Sequence, residues 1–266
     1  MKNILSIGSI AVTSLALNLI PVGQAQAVTL QNGGFIPSGI SQSAYLGNTP
    51  TNGRTVVTIP GWTFAPAPPN SGNNGYNFIV PDGTAFKTNM AALGNAPYGG
   101  LSLYGGSSQT VNSVDGSGWF IAADGAFEEG SISQQLNDLT PGNRYDVNFW
   151  QAAGQQSGFE GDTTDRWRVS LDGVSQLSAL IELPSKANVT PWQRQTLTFT
   201  ATSSSQVLSF LAVGTPTGLP PFSLLSGVSV TAAVPEPLTI VGTLVGLGFG
   251  AGLRSKLTKK KLAENE

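Results

Sequence analysis

Clusters of Gly, Ser, Thr, Asn and Pro break residues 28–233 at intervals of roughly ten residues, with short runs rich in β-branched and aromatic side chains between them. These runs predict strands at 55–59, 76–80, 101–104, 119–122, 131–136, 144–152, 166–172, 192–202, 206–213 and 224–231. Several alternate strictly. Trp167, Val169 and Leu171 oppose Arg166, Arg168 and Ser170, and Tyr145, Val147 and Phe149 oppose Asp146 and Asn148. A period of two with one wet face is the antiparallel pattern. No stretch of this segment carries the 3.6-residue period of an amphipathic helix. Turn chemistry agrees: Pro141 followed by Gly142 suits a type II turn, and Asp172 followed by Gly173 is a hairpin signal. Residues 65–74 and 99–118 read as loops, the latter apart from its short strand. Many short strands with frequent turns predict an all-β fold, an antiparallel β-sandwich or jelly roll.

The ends of the chain follow different patterns. Residues 1–27 begin with Lys2, continue with an apolar stretch from 4 to 20 and finish on Ala25, Gln26 and Ala27. A positive start, an apolar middle and small residues at the −3 and −1 positions predict a secretory signal peptide, cleaved to leave Val28 first. The alternative is an uncleaved membrane anchor, which the Ala25 and Ala27 site disfavours. At the other end, Val234, Pro235, Glu236 and Pro237 precede an uncharged run from 238 to 253 and a basic tail, 254–266, with Arg254, Lys256 and Lys259 to Lys261. The two prolines hold the backbone extended, as a protease or transpeptidase cleft requires; a rigid spacer is the other reading. As a helix, the run of sixteen residues spans about 24 Å, short of a bilayer core of about 30 Å, so thinning or snorkelling basic side chains must make up the difference. Gly242, Gly246 and Gly250 leave one face of that helix as bare backbone, suited to close helix–helix approach. Lys2 and the basic tail both belong on the cytoplasmic side, which puts residues 28–233 outside.

Extended motif, apolar span and basic tail, in that order, resemble a PEP-CTERM sorting signal, with Pro235, Glu236 and Pro237 at the motif. The resemblance implies export through the Sec translocon and signal peptidase, transient anchoring by a C-terminal transmembrane helix, and processing near the motif by an exosortase, an integral-membrane transpeptidase-like enzyme. It also implies a place at the cell surface or in an extracellular polysaccharide matrix. Within the exported segment, Asn32, Gly33, Gly34 and Phe35, then Ile59, Pro60, Gly61, Trp62 and Thr63, resemble the opening of galactose-binding-like jelly-roll modules. The stretches 130–136, 139–145 and 192–200 fit the same scheme. Such modules carry an acidic residue after the Phe and an Asp before the last strand; here Ile36 and Ser226-Gly227 stand in those places, and no metal or ligand role carries over to them.

Composition narrows the chemistry. The whole chain has 13 Lys and Arg against 15 Asp and Glu, a net charge of −2. Residues 28–233 alone hold 7 and 12, a net charge of −5, because much of the positive charge lies in the tail. An acidic surface disfavours nucleic acid and anionic membrane as partners. No cysteine and no histidine occur, which removes Ser-His and Cys-His catalysis and His-based metal sites. No G-x-S-x-G elbow is present either.

Two acidic trios are candidate calcium ligands: Asp124, Glu128 and Glu129, and Glu160, Asp162 and Asp165. Ca²⁺ takes six to eight hard oxygens, and neither trio has EF-hand spacing; solvated loop charge, with Asp165 paired to Arg166 or Arg168, is the competing reading. No other cofactor is called for. Trp62, Trp150, Trp167 and Trp192 lie in or beside alternating strands and read as core. Trp119, which follows a Gly/Ser-rich loop, reads as the exposed tryptophan and, with Tyr98 and Tyr104, as a candidate glycan contact. The expectation is a non-enzymatic binding module that contacts glycans. The alternatives are a purely structural matrix protein and a carbohydrate-active hydrolase with two carboxylates.

Overall fold

A computed structural model of the chain describes residues 28–47, 56–65, 75–85, 101–105 and 110–233. Residues 1–27 and 234–266, read from sequence as signal peptide and as sorting motif, membrane span and basic tail, and Tyr98, lie outside the described residues. Among the described residues there are strands and no helix, so none is long and apolar enough to cross a membrane.

Two sheets face each other. The larger runs, edge to edge, β13 (Gln193–Thr200), β9 (Arg144–Gln155), β15 (Pro221–Ala232), β7 (Trp119–Asp124), β4 (Asn77–Pro81), β1 (Ala44–Leu46) and β2 (Val56–Val57). The second runs β11 (Val174–Leu177), β10 (Thr163–Leu171), β14 (Gln206–Thr215), β8 (Ile132–Leu136) and β3 (Thr63–Phe64), with β12 (Ile181–Leu183) also paired to β10. A small hairpin joins β5 (Thr84–Ala85) to β6 (Thr110–Val111). Every pairing is antiparallel except β1 with β2.

The alternation predicted for two strands sets the sandwich. Tyr145, Val147 and Phe149 of β9 and Trp167, Val169 and Leu171 of β10 turn inward and are buried, together with Leu208, Phe210 and Ala212 of β14. Phe210 is the hub of the core, with ring centroids 5.4 Å from Phe149, 6.1 Å from Trp167 and 6.3 Å from Trp62. Both buried indole N–H groups donate to backbone carbonyls, Trp167 to Leu224 at 3.1 Å and Trp62 to Asn32 at 2.9 Å. Each removes the cost of a buried unpaired donor.

Both turn readings hold. Gly142 has φ of +84° and the Asn143 N–H donates to the Thr140 carbonyl at 3.0 Å, closing a type II turn around Pro141. Asp172 and Gly173 both have positive φ and join β10 to β11, as a two-residue hairpin with I′ geometry requires.

Two expectations change. Residues 101–104 do not form a strand of a sheet; Leu103 makes one isolated bridge to Gln156. The segment lies over the outward face of the larger sheet, where Leu101 and Leu103 join a second apolar cluster with Tyr45, Phe78, Val80, Phe120, Ala122, Phe222 and Leu224. That cluster is the second change: one half of the larger sheet is dry on both faces. Its strands therefore read as continuous apolar runs, as in buried sheets.

Candidate functional site

The other half of the outward face is open and polar. Inward Tyr145, Val147 and Phe149 leave Asp146, Asn148 and Trp150 of β9 facing out. Register places Thr198 opposite Asp146, Thr196 opposite Asn148 and Arg194 opposite Trp150 on β13. On the other flank, β15 places Thr231, Ser229 and Ser226 opposite the same three residues. Trp150 is half-buried, and Arg194, Thr196, Ser229 and Thr231 are exposed.

The row is held by its own hydrogen bonds. Thr198 Oγ1 donates to Asp146 Oδ1 at 2.6 Å, and Thr196 Oγ1 donates to Asn148 Oδ1 at 2.8 Å. Arg194 Nη2 reaches the same Asn148 oxygen at 3.5 Å. These bonds fix side chains of polar type on a rigid strand pair, which is where precise sites are built.

Trp150 sits over an irregularity in β15. Pairing with β9 shifts between Ser226 and Ser229, and Gly227 at the shift has φ of +59°. A Cβ at 227 would lie 3.5 Å from Trp150 Cδ1 and 3.1 Å from Asp115 Cβ. Glycine thus provides the backbone conformation and room for the close approach of Asp115. Asp115 belongs to a loop fastened to the same place: Ser226 Oγ donates to Asp115 Oδ1 at 3.4 Å, and the Val114 N–H donates to Ser226 Oγ at 3.2 Å.

Trp192, which immediately precedes β13, is half-buried edge-on to Phe120 with centroids 5.7 Å apart. Its indole N–H donates to the Asn112 carbonyl at 2.8 Å. A cavity of about 230 Å³ opens beside it, lined by residues 110–112 and 189–192. The polar row of Asp146 and Asn148 therefore runs up to Trp150, with Trp192 and the cleft beyond it at the same end.

The residues singled out from sequence fall elsewhere. Trp119 is partly buried against the inter-sheet core, because the parity that points Phe120 and Ala122 outward points Trp119 and Ile121 inward. Tyr104 is buried, and its hydroxyl accepts the Gly158 N–H at 3.2 Å. Trp150 and Trp192 occupy the accessible face instead. The signal for Trp150 was in the chain: once Tyr145, Val147 and Phe149 are the core set, residue 150 has the opposite parity.

The acidic trios are also regrouped. Among the described residues, no three acidic side chains come together as metal ligands. Glu160 pairs with exposed Lys186 at 2.5 Å, and Asp162 Oδ1 accepts the Ser185 N–H at 2.9 Å. Asp162 also lines, with Glu182 and Thr215, a second open cavity of about 350 Å³. Asp165 turns inward and is fully buried, where Ser223 Oγ donates to its Oδ1 at 3.3 Å. Asp124 is buried too, its Oδ1 accepting the Ala126 and Phe127 N–H groups at 2.9 and 3.1 Å. The Oδ2 atoms of both have no hydrogen-bond partner. Burial pushes the Asp124 carboxyl up to about 7, with the Glu129 and Glu128 charges adding and the two amides opposing. Burial also holds Asp165 well above the carboxylate range, opposed by the Ser223 hydrogen bond and reinforced by Asp124. Neither side chain reaches the surface, so neither can touch a polymer chain.

No family model and no curated protein matches the chain. Among solved structures, one described as "CBM4 structure and function" is 11% identical, covers 77% of this chain and 100% of its own, and gives a TM-score of 0.32. The N-terminal cellulose-binding domain of Cellulomonas fimi β-1,4-glucanase C is 15% identical, with 47% and 88% covered and a TM-score of 0.29. TmCBM61 in complex with β-1,4-galactotriose is 13% identical, with 44% and 72% covered and a TM-score of 0.29.

Proposed function

We propose that the chain is an exported binding module that contacts glycans through the open half of its larger sheet. One observation carries this reading: Trp150 stands half-exposed in a row of ordered hydrogen-bonding side chains on a rigid face. A sugar ring has an apolar C–H face and a hydroxyl rim. An indole matches the first, and amide, hydroxyl and guanidinium groups match the second. Delivery follows from the ends of the sequence: Sec export, signal peptidase cleavage after Ala27, and exosortase processing at Pro235-Glu236-Pro237, leaving the module at the cell surface or in the matrix.

The test is a glycan array with the full-length protein and its Trp150→Ala variant. Loss of a central aromatic anchor is expected to weaken binding by about tenfold or more, with little change in melting temperature because the indole is not in the inter-sheet core. Equal binding by both proteins would overturn the reading. Self-association without any glycan bound would favour a structural matrix role in its place.

A further inference from the structure

We infer that the open face selects acidic glycans, with Arg194 as the group that recognises a uronate carboxylate. This rests on the glycan reading of the same face and adds the class of sugar.

Three observations lead to it. First, Arg194 is the cation beside Trp150; Arg144, of the same parity on β9, stands at the far end of the row. Arg194 is exposed on β13, its strand partner is Trp150, and Trp192 stands two residues away with the same parity. The guanidinium thus belongs to the open face, across the strand pair from Trp150 and two residues along the chain from Trp192. Second, its charge has no carboxylate partner. The ion pair found among the described residues joins Lys186 to Glu160, not Arg194 to an acid. The side-chain contact of Arg194 is to Asn148 Oδ1, a long one at 3.5 Å to a neutral oxygen already taken by Thr196. Two acids lie at this face: Asp146 accepts Thr198 Oγ1 at 2.6 Å, four residues along the strand from the position opposite Arg194, and Asp115 accepts Ser226 Oγ at 3.4 Å; neither forms an ion pair with Arg194 among the described residues. Third, the surrounding module works against an anionic ligand. Residues 28–233 carry 7 basic and 12 acidic residues, so an exposed arginine opposite Trp150 runs against the overall charge.

Guanidinium chemistry gives the ligand class. Arg presents a planar fork of donors that fits a carboxylate with two parallel bonds, and it stacks on aromatic faces. One N–H is engaged with Asn148, which orients the plane and leaves the remaining donors for a ligand. A neutral sugar would use the same donors singly. A uronate would use them as a charge-assisted pair.

The experiment compares polygalacturonate with its fully methyl-esterified form, which keeps the sugar and removes the charge. Binding of the full-length protein is measured by calorimetry at low salt. The acid polymer is expected to bind about tenfold tighter than the ester, as one charge-assisted bidentate contact supplies. Arg194→Gln is expected to abolish that preference. Arg168→Gln removes the same charge from the exposed face of the other sheet and is expected to keep it. Equal binding of the two polymers by the wild type, a preference that survives Arg194→Gln, or one that disappears in Arg168→Gln would each overturn the assignment. Binding of neutral glycans alone, weakened by Trp150→Ala, would overturn it too while leaving the glycan reading standing. Trp150→Ala without effect on any glycan would remove the glycan reading and this one together.

Discussion

Asp124 and Asp165 are buried carboxylates that the fold holds protonated, and the sign of their effect on stability follows directly. Each has a folded-state affinity for its proton above that of the unfolded chain. Below the ordinary carboxylate value of 3.8 both states carry the proton and nothing is lost. As pH rises from there to about 7, the unfolded chain releases the Asp124 proton and the folded protein does not. Stability therefore falls across that window and levels off above it, by about 4 kcal/mol at 1.36 kcal/mol per unit. Asp165 acts in the same direction. The melting temperature is expected to be higher at pH 5 than at pH 8. In Asp124→Asn, which keeps the Oδ1 acceptor for Ala126 and Phe127, the slope is expected to flatten and the pH 8 value to rise. Differential scanning calorimetry of the two proteins across that range decides it; parallel pH profiles would show that Asp124 is not the titrating group. This behaviour was not legible in the sequence. Asp124 and Asp165 each looked like one member of a surface trio, and only the folded chain brings the two near one another while turning Glu160 and Asp162 outward. What alternation could say, it said correctly for Trp167, but it marks two faces without telling which is covered, so Trp150 was grouped with the core.

At the scale of elements, the bulge in β15 connects the strand to the site. A Cβ at 227 on this backbone would press on Asp115 Cβ at 3.1 Å while meeting Trp150 Cδ1 at ordinary contact distance, 3.5 Å. Gly227→Ala introduces a Cβ at positive φ, at about 1–2 kcal/mol for the backbone alone, and forces it toward Asp115 Cβ at 3.1 Å. The expected result is a loss of stability of that order in urea unfolding. Glycan affinity is also expected to fall, although residue 227 offers a ligand no polar side chain. Unchanged affinity at reduced stability would show that the bulge shapes the strand without positioning the indole. The long strands β9, β10, β14 and β15 were recognisable from pattern, since each has enough residues for alternation to register. β1, β3, β5, β6, β11 and β12 were missed because two to four residues show no period. β7 shows a different limit. Phe120, Ile121, Ala122 and Ala123 are all buried, two on each face, and such a continuous run announces burial on both sides rather than one wet face.

For the whole molecule, the ends of the sequence and the sandwich between them make one argument. Inward faces of two sheets fill the core, and the sequence offers no cysteine to cross-link it. The module's open face lies on the side of the larger sheet away from the second sheet, and binding there leaves the core undisturbed. In the proposed delivery, Pro235 and Pro237 bias the stretch between module and tail toward an extended backbone. In cells that contain an exosortase, mass spectrometry of the exported protein is therefore expected to find a chain beginning at Val28 and lacking the residues after the Pro235-Glu236-Pro237 motif. Replacing Pro235 and Pro237 by alanine relaxes the extended backbone and is expected to leave the tail attached and the protein in the membrane fraction, with the melting temperature of the module unchanged. Recovery of the full tail on the wild-type protein from such cells would show that the motif is a spacer and the span a lasting anchor. The glycan-binding face would then work at a fixed distance from the membrane instead of in the free matrix.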